Sequence, residues 1–204
     1  MEESFMMADL SMYLLDITSN SIRADASHIM IRFEDSKKKN EISLEIIDDG
    51  RGMDAEMVEK VQNPFFTTRT TRKIGLGIPF FKELAEQCEG HFELESKVNE
   101  GTRIKCTMKK DHWDVPPRGD IGDALVLALC MNEAIHIHFD YISDEKHFSF
   151  DSQEIREILG DVSICEAEIS SWCKAYINEG IKEEEKDEVI SRFKSSARSD
   201  KKAS

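Results

Sequence analysis

The chain has 204 residues, 40% of them hydrophobic, which suffices for one or two packed domains and excludes a wholly disordered polypeptide. Against 27 Lys and Arg stand 41 Asp and Glu, a formal charge of −14, and so acidic a surface opposes attraction to a phosphate backbone, so no nucleic-acid partner is expected. The longest apolar run, near Leu125–Met131, falls far short of the roughly 20 residues a membrane span needs, and acids rather than lysines follow the first methionine, so a soluble, cytoplasmic chain with no membrane partner is expected.

Leu10, Leu14, Ile17 and Ala24 recur at close to the helical period and predict a first helix ending near Ala24–Ala26. Apolar alternation through Ile29, Ile31 and Phe33, then through Ile42, Leu44 and Ile46, predicts two strands, His28–Glu34 and Glu41–Ile47, paired as a hairpin across the polar turn Asp35–Asn40. Asp54 is a candidate N-cap for a short helix carrying Met57 and Val61, which Asn63-Pro64 ends because a residue before proline is pushed out of the helical region. A further helix starts around Pro79, presents Phe80, Phe81, Leu84, Ala85 and Cys88, and stops at Gly90. Phe92 and Leu94, then Thr102, Ile104, Cys106 and Met108, flank the Asn99-Glu100-Gly101 turn of a second hairpin. Helices interleaved with antiparallel hairpins imply an α/β two-layer sandwich, with helices covering one face of a mixed sheet.

Residues 111–119, with adjacent Pro116 and Pro117, interrupt every periodic pattern and are read as a stiff linker closing a first domain at 1–110. Beyond it, a helix at Ile121–Asn132, a hairpin of Ile135–Ile142 with Lys146–Phe150, and helices near Ser152–Leu159 and Glu166–Ile181 compose a small α+β module, 120–182, expected to meet a partner. Residues 183–204 are charged and poor in apolar side chains, which predicts a frayed helix and a disordered tail. Cys88, Cys106, Cys130, Cys165 and Cys173 form no CxxC pair and read as reduced, mostly core thiols rather than a disulfide framework or a zinc site.

Five segments carry candidate chemistry. Asp16 and Asn20 lie four apart on the first helix and emerge on one face; the Asn20 amide oxygen suits magnesium, and the Asp16 carboxylate could orient or deprotonate a nucleophile. Asp48-Asp49-Gly50-Arg51-Gly52-Met53 follows a buried strand, so the Asp48 carboxylate can accept from an adenine amino group while Gly50 and Gly52 let backbone approach. Lys73-Ile74-Gly75-Leu76-Gly77 leads into a helix N-terminus that would face a triphosphate, and the donor-rich stretch between the glycine motifs, with Phe65, Phe66, Thr67, Thr68, Arg69 and Arg72, could close over it. His136, His138 and Asp140 alternate along one strand with His147 opposite, either a metal site or a solvated strand face. Taken singly, Asp16 and Asn20 are also an ordinary polar helix face, and Asp49-Gly50 an ordinary turn.

Taken in order, the segments from Asp16 to Gly77 resemble the GHKL superfamily of histidine kinase, DNA gyrase B, mismatch-repair and anti-sigma-factor-kinase ATPase domains, over roughly Leu10–Met108. The resemblance implies a histidine kinase-like ATPase fold binding ATP and Mg²⁺, with Asn20 on magnesium and Asp16 where several members keep a glutamate base. It further implies Asp48, Gly50 and Gly52 as the adenine-binding glycine box, Phe65–Thr68 as the lid entrance, Gly75 and Gly77 as the second glycine box, and Thr102 supporting adenine recognition. More narrowly, Leu15–Ala26, Asn63–Gly77 and Pro116–Asp123 look like stand-alone ATP-binding proteins of anaerobic bacteria found beside iron-only hydrogenase genes, which implies a hydrogenase or NADH-oxidising complex as protein partner.

Asp16 is one methylene shorter than glutamate, so a nucleophile must approach it more closely, and Lys73-Ile74 stands where histidine kinases carry an extra glycine, with Lys73 offering charge to the γ-phosphate. No helical hairpin with a phosphoacceptor histidine precedes the domain, so the acceptor is expected on a partner or to be water. The expected function is an ATP·Mg-binding regulatory protein that phosphorylates a partner or slowly hydrolyses ATP; the alternative is a noncatalytic ATP-gated interaction module for a redox enzyme complex. A DNA-directed ATPase is disfavoured by the acidic charge.

Overall fold

The computed structural model describes residues 7–63 and 77–182. Helix α1 (Leu10–Arg23) starts at Asp9, whose carboxylate accepts the Met12 N–H at 3.0 Å. Two further N–H groups of its first turn are taken by the linker, Leu10 by the Pro117 carbonyl at 2.9 Å and Ser11 by that of Arg118 at 3.0 Å. The proline segment is therefore a backbone clamp on the helix start as well as a connector. Strands β1 (His28–Ser36) and β2 (Glu41–Asp48) form the expected hairpin, with Ile31 opposite Ile46 and Phe33 opposite Leu44. Asp54 caps the short α2 (Ala55–Val61) by accepting the Met57 N–H at 2.8 Å.

Helix α3 (Gly77–Gln87) begins two residues before Pro79, whose place in the first turn needs no N–H partner. Strands β3 (His91–Lys97) and β4 (Gly101–Lys109) close the second hairpin through Asn99 and Gly101, both at positive φ. Then come α4 (Ile121–Met131), β5 (His136–Ser143), β6 (His147–Asp151), α5 (Ser152–Leu159) and α6 (Ala167–Gly180). One mixed sheet of six strands runs β3-β4-β2-β1-β5-β6. Its helix-covered face buries Ile29, Ile31, Phe33, Leu44, Ile46, Ile104, Cys106, Ile137 and Phe139. The opposite face is polar, with Arg103 paired to Glu45 at 2.7 Å and to Glu93 at 2.8 Å.

The segment 120–182 does not stand apart as a separate module. Strand β5 pairs in parallel with β1, from His28 opposite His136 to Asp35 opposite Ser143, and α4 packs on both α1 and α6. Ile137, Phe139 and Tyr141 must bury one face, and the helix-covered side of the existing sheet offers the place. The prolines mark a crossover rather than a domain boundary. The expected tail, 183–204, lies outside the described residues.

The thiol expectation is corrected at one pair. Cys130, at the end of α4, and Cys165, ahead of α6, are 35 residues apart yet form a disulfide with Cα atoms 5.6 Å apart. Cys88, Cys106 and Cys173 are buried free thiols, as expected of small core residues; burial pushes the Cys88 thiol up to about 11 and that of Cys106 further. Among the described residues no helix is long and apolar enough to cross a membrane.

Candidate functional site

Asp48 ends β2 on the helix-covered face and is 9% exposed. Both carboxylate oxygens are held from within: the Gly50 N–H donates to Oδ1 at 2.9 Å and the Ser21 hydroxyl to Oδ2 at 2.6 Å. Each oxygen keeps a further lone pair for an outside donor. Thr102 is the cross-strand partner of Asp48, and Ser96 is the partner of Thr102, so β3, β4 and β2 contribute one row of oxygen-bearing side chains at the sheet's end. Ser96 Oγ lies 2.9 Å from Thr102 Oγ1.

The loop after Asp48 is packed so closely that side chains are excluded. A Cβ on Gly50 would come within 2.9 Å of the Ala24 carbonyl oxygen, and one on Gly52, at φ +62°, would collide with the Lys97 backbone. The next carboxylate, Asp49, turns away and accepts the N–H groups of Ser27 at 2.8 Å and His28 at 2.9 Å. Burial alone would raise the Asp49 pKa, but these bonds and that from the Ser27 hydroxyl outweigh it and hold the pKa below the ordinary value. Asp49 is thus structural, whereas Asp48 is held by Ser21 and Gly50 at the end of β2.

Asp16 and Asn20 share a face of α1, with Asn20 Nδ2 3.5 Å from Asp16 Oδ2. Gly77 opens α3 directly against Asp16; any Cβ there would strike the carboxylate. The Asp16 carboxylate therefore sits at the positive end of α3, where a helix favours negative charge. Arg23 was not singled out from sequence: its guanidinium donates to Asn20 Oδ1 at 2.8 Å, leaving that oxygen a second lone pair. An amide oxygen beside a carboxylate is a hard donor set that fits Mg²⁺ with several waters retained. Thr67, Thr68, Arg69, Lys73, Gly75 and Leu76, with Phe65 and Phe66, lie outside the described residues.

Ser21 and Ser96 are the other residues missed. Ser21 carried a signal only as the neighbour of Asn20, and Ser96 only once the hairpin register sets it opposite Thr102.

The histidines of β5 do share the polar face, but as an internally satisfied ladder. Asp151 accepts from His136 Nε2 at 2.9 Å and pairs with His138 Nδ1 at 3.1 Å, while Asp140 pairs with His147 Nε2 at 2.9 Å. Among the described residues no group of three His, Cys, Asp or Glu side chains has metal-binding geometry. His136, His138 and Asp140 therefore find their partners within this face.

A family model of histidine kinase-, DNA gyrase B- and HSP90-like ATPases matches residues 8–112, from the start of α1 past the end of β4, and so takes in Asp16, Asn20, Asp48 and Thr102 together. The chain belongs to the GHKL ATPase superfamily. It is 31% identical over 101 residues to the sensor histidine kinase YvrG of Bacillus subtilis, covering 48% of this chain and 17% of that one. It is 33% identical over 94 residues to the sensor kinase CckA of Brucella abortus, covering 46% and 10%. The chain thus spans a small fraction of these relatives' length, and what the two share with it is the GHKL ATPase domain of histidine kinase type. Among solved structures, the catalytic domain of histidine kinase ThkA matches with a TM-score of 0.39 at 25% identity, over 48% of this chain and 64% of that one. The N-terminal domain of a DNA repair protein matches with a TM-score of 0.48 at 20% identity, over 71% and 52%.

Proposed function

We propose that this GHKL protein binds ATP with Mg²⁺ and regulates a protein partner by transferring the γ-phosphoryl group to it, with slow transfer to water in the partner's absence. The observation that carries this reading is the nearly buried Asp48 carboxylate, locked by Ser21 and Gly50 yet with acceptor capacity left over. A fixed acceptor of that kind suits the adenine amino group and repels the guanine carbonyl. Gly50 and Gly52 keep the approach free of side chains, and Thr102 adds a second polar contact beside Asp48.

On the phosphate side, Asn20 would hold the metal, and Thr67, Thr68, Arg69, Lys73, Gly75, Leu76 and Gly77 would supply donors to the triphosphate. Bound Mg²⁺ offsets the negative charge of the phosphates. Asp16, against the start of α3, takes the proton of the attacking hydroxyl, imidazole or water as its bond to the γ-phosphorus forms and the bond to the ADP oxygen breaks. Positioning supplies most of the catalysis, so the partner must deliver the acceptor in line. The resemblance to proteins found beside hydrogenase genes makes a hydrogenase or NADH-oxidising complex the first partner to test, and the face formed by 120–182 the contact to probe.

The test is single-turnover release or transfer of labelled γ-phosphate with candidate partners present. Asp16→Asn is expected to slow it by roughly 10²–10⁴ while ATP affinity changes little. Negligible wild-type turnover beside intact ATP binding would replace transfer with the noncatalytic ATP-gated reading.

A further inference from the structure

We infer that Ser96 is a positioning residue that fixes the direction of the Thr102 hydroxyl and thereby makes the base-binding edge select an amino over an oxo substituent. This rests on the reading of Asp48 and Thr102 as that edge.

Ser96 Oγ has one proton and two lone pairs. The Met53 N–H, which can only donate, points to Ser96 Oγ at 2.8 Å and takes one lone pair. The Gly101 carbonyl, which can only accept, lies at 2.9 Å and takes the proton. What remains toward Thr102 Oγ1, also at 2.9 Å, is the second lone pair, so the Thr102 hydroxyl donates to Ser96. Its own lone pairs are then presented beside Asp48, its neighbour across the strands. The edge formed by the Thr102 hydroxyl and the Asp48 carboxylate thus offers acceptor lone pairs. An exocyclic amino group meets two acceptors there, whereas a carbonyl oxygen at the same ring position meets only repulsion.

The three bonds of Ser96 also explain why selectivity and loop shape are coupled. Met53 is the last residue of the glycine loop, and the Asn99 N–H on the β3–β4 turn donates to Arg51 O at 2.7 Å. Ser96 thus ties the loop and the hydroxyl row to the same pair of strands. Removing its hydroxyl frees Thr102 to rotate and donate, which lets an oxo group find a partner.

The experiment uses the full chain with ATP and ITP, which differ at the base in an amino against an oxo group and in an accepting ring nitrogen against a donating N–H beside it, competing against a fluorescent ATP analogue. Wild type is expected to prefer ATP. Ser96→Ala is expected to narrow the ATP:ITP affinity ratio about three- to tenfold, the weight of one hydrogen bond, and Ser96→Thr to restore it. Thr102→Val should narrow the ratio to a similar extent, and the Ser96→Ala/Thr102→Val double variant no further than either single change. Should the alanine variant not fold, Ser96→Cys, a weak donor of similar size, gives the same readout. A ratio unchanged while both affinities fall together would make Ser96 merely structural and overturn the inference with the base-edge reading intact. Additive effects in the double variant would overturn it equally. No ATP binding by the wild type would overturn both.

Discussion

The Ser21 hydroxyl donates to Asp48 Oδ2 at 2.6 Å, joining the helix that carries Asp16 and Asn20 to the strand end that carries the candidate base acceptor. The bond is buried and its acceptor is a carboxylate, the kind of hydrogen bond that is costly to leave unmade. Ser21→Ala is therefore expected to lower ATP affinity about three- to thirtyfold, through a misaligned Asp48, while the circular dichroism spectrum stays that of the wild type. Unchanged affinity in a titration would show that the Ser21 contact does not orient the site.

Asn20 reaches into the site from the same helix with its amide oxygen shared by Arg23. Asn20→Ala is expected to abolish the magnesium dependence of ATP binding and leave the fold intact, since the bonds lost, to Asp16 and Arg23, lie within α1. Binding that remains equally sensitive to magnesium would remove Asn20 from the metal's ligand set.

Much of this architecture was legible in the sequence for a simple reason. The two hairpins β1–β2 and β3–β4 each bury a single face, so Ile29, Ile31, Phe33 and their partners print a period of two that no helix shares. Asp48 and Gly50 were legible because a carboxylate and a side-chain-free loop directly follow such a strand. What stayed hidden depends on contacts distant in sequence. The parallel pairing of β1 with β5 joins segments more than a hundred residues apart, and no local pattern announces it; the proline segment between them read instead as a boundary. Cys130 and Cys165 meet only because α4 and the approach to α6 are packed together. Ser21 and Ser96 carry no periodic signal at all, and their roles follow from strand register and helix packing.

The Asp151 carboxylate illustrates a stabilising group remote from the site. Burial would raise its pKa, but bonds from His136, His138 and the Gln153 N–H at the start of α5 outweigh this and hold it at about 2, below the ordinary 3.8. The ionised form is favoured by folding, so its contribution is present above about pH 4 and disappears as pH falls toward 2. Asp151→Asn is expected to lower stability at neutral pH by about 1–3 kcal/mol, through the weakened cap and imidazole contacts, and to flatten the decline below pH 4. Urea unfolding at a series of pH values checks this, and a parallel decline in both proteins would refute it.

The Cys130–Cys165 disulfide closes a loop of 35 residues that includes β5, β6 and α5. Loop-closure entropy for that length corresponds to about 3–4 kcal/mol, so a reductant or Cys130→Ser is expected to lower the unfolding free energy by up to that amount. Thermal unfolding with and without dithiothreitol measures it; identical curves for an oxidised sample whose disulfide has been verified would contradict the expectation.

The Asp48 end of the sheet is proposed as an adenine site served by magnesium. Calorimetric titration of the wild type and Asp48→Asn with ATP and GTP, each with magnesium, tests it most directly. In Asp48→Asn the amide oxygen must face the fixed Gly50 N–H, which turns the amino group toward Ser21 and the base and replaces an acceptor with a donor. The wild type is expected to bind ATP with magnesium dependence and in preference to GTP, and the variant to lose ATP affinity ten- to hundredfold, about 1.5–3 kcal/mol. Equal ATP affinity in the two proteins, or equal binding of ATP and GTP by the wild type, would contradict it.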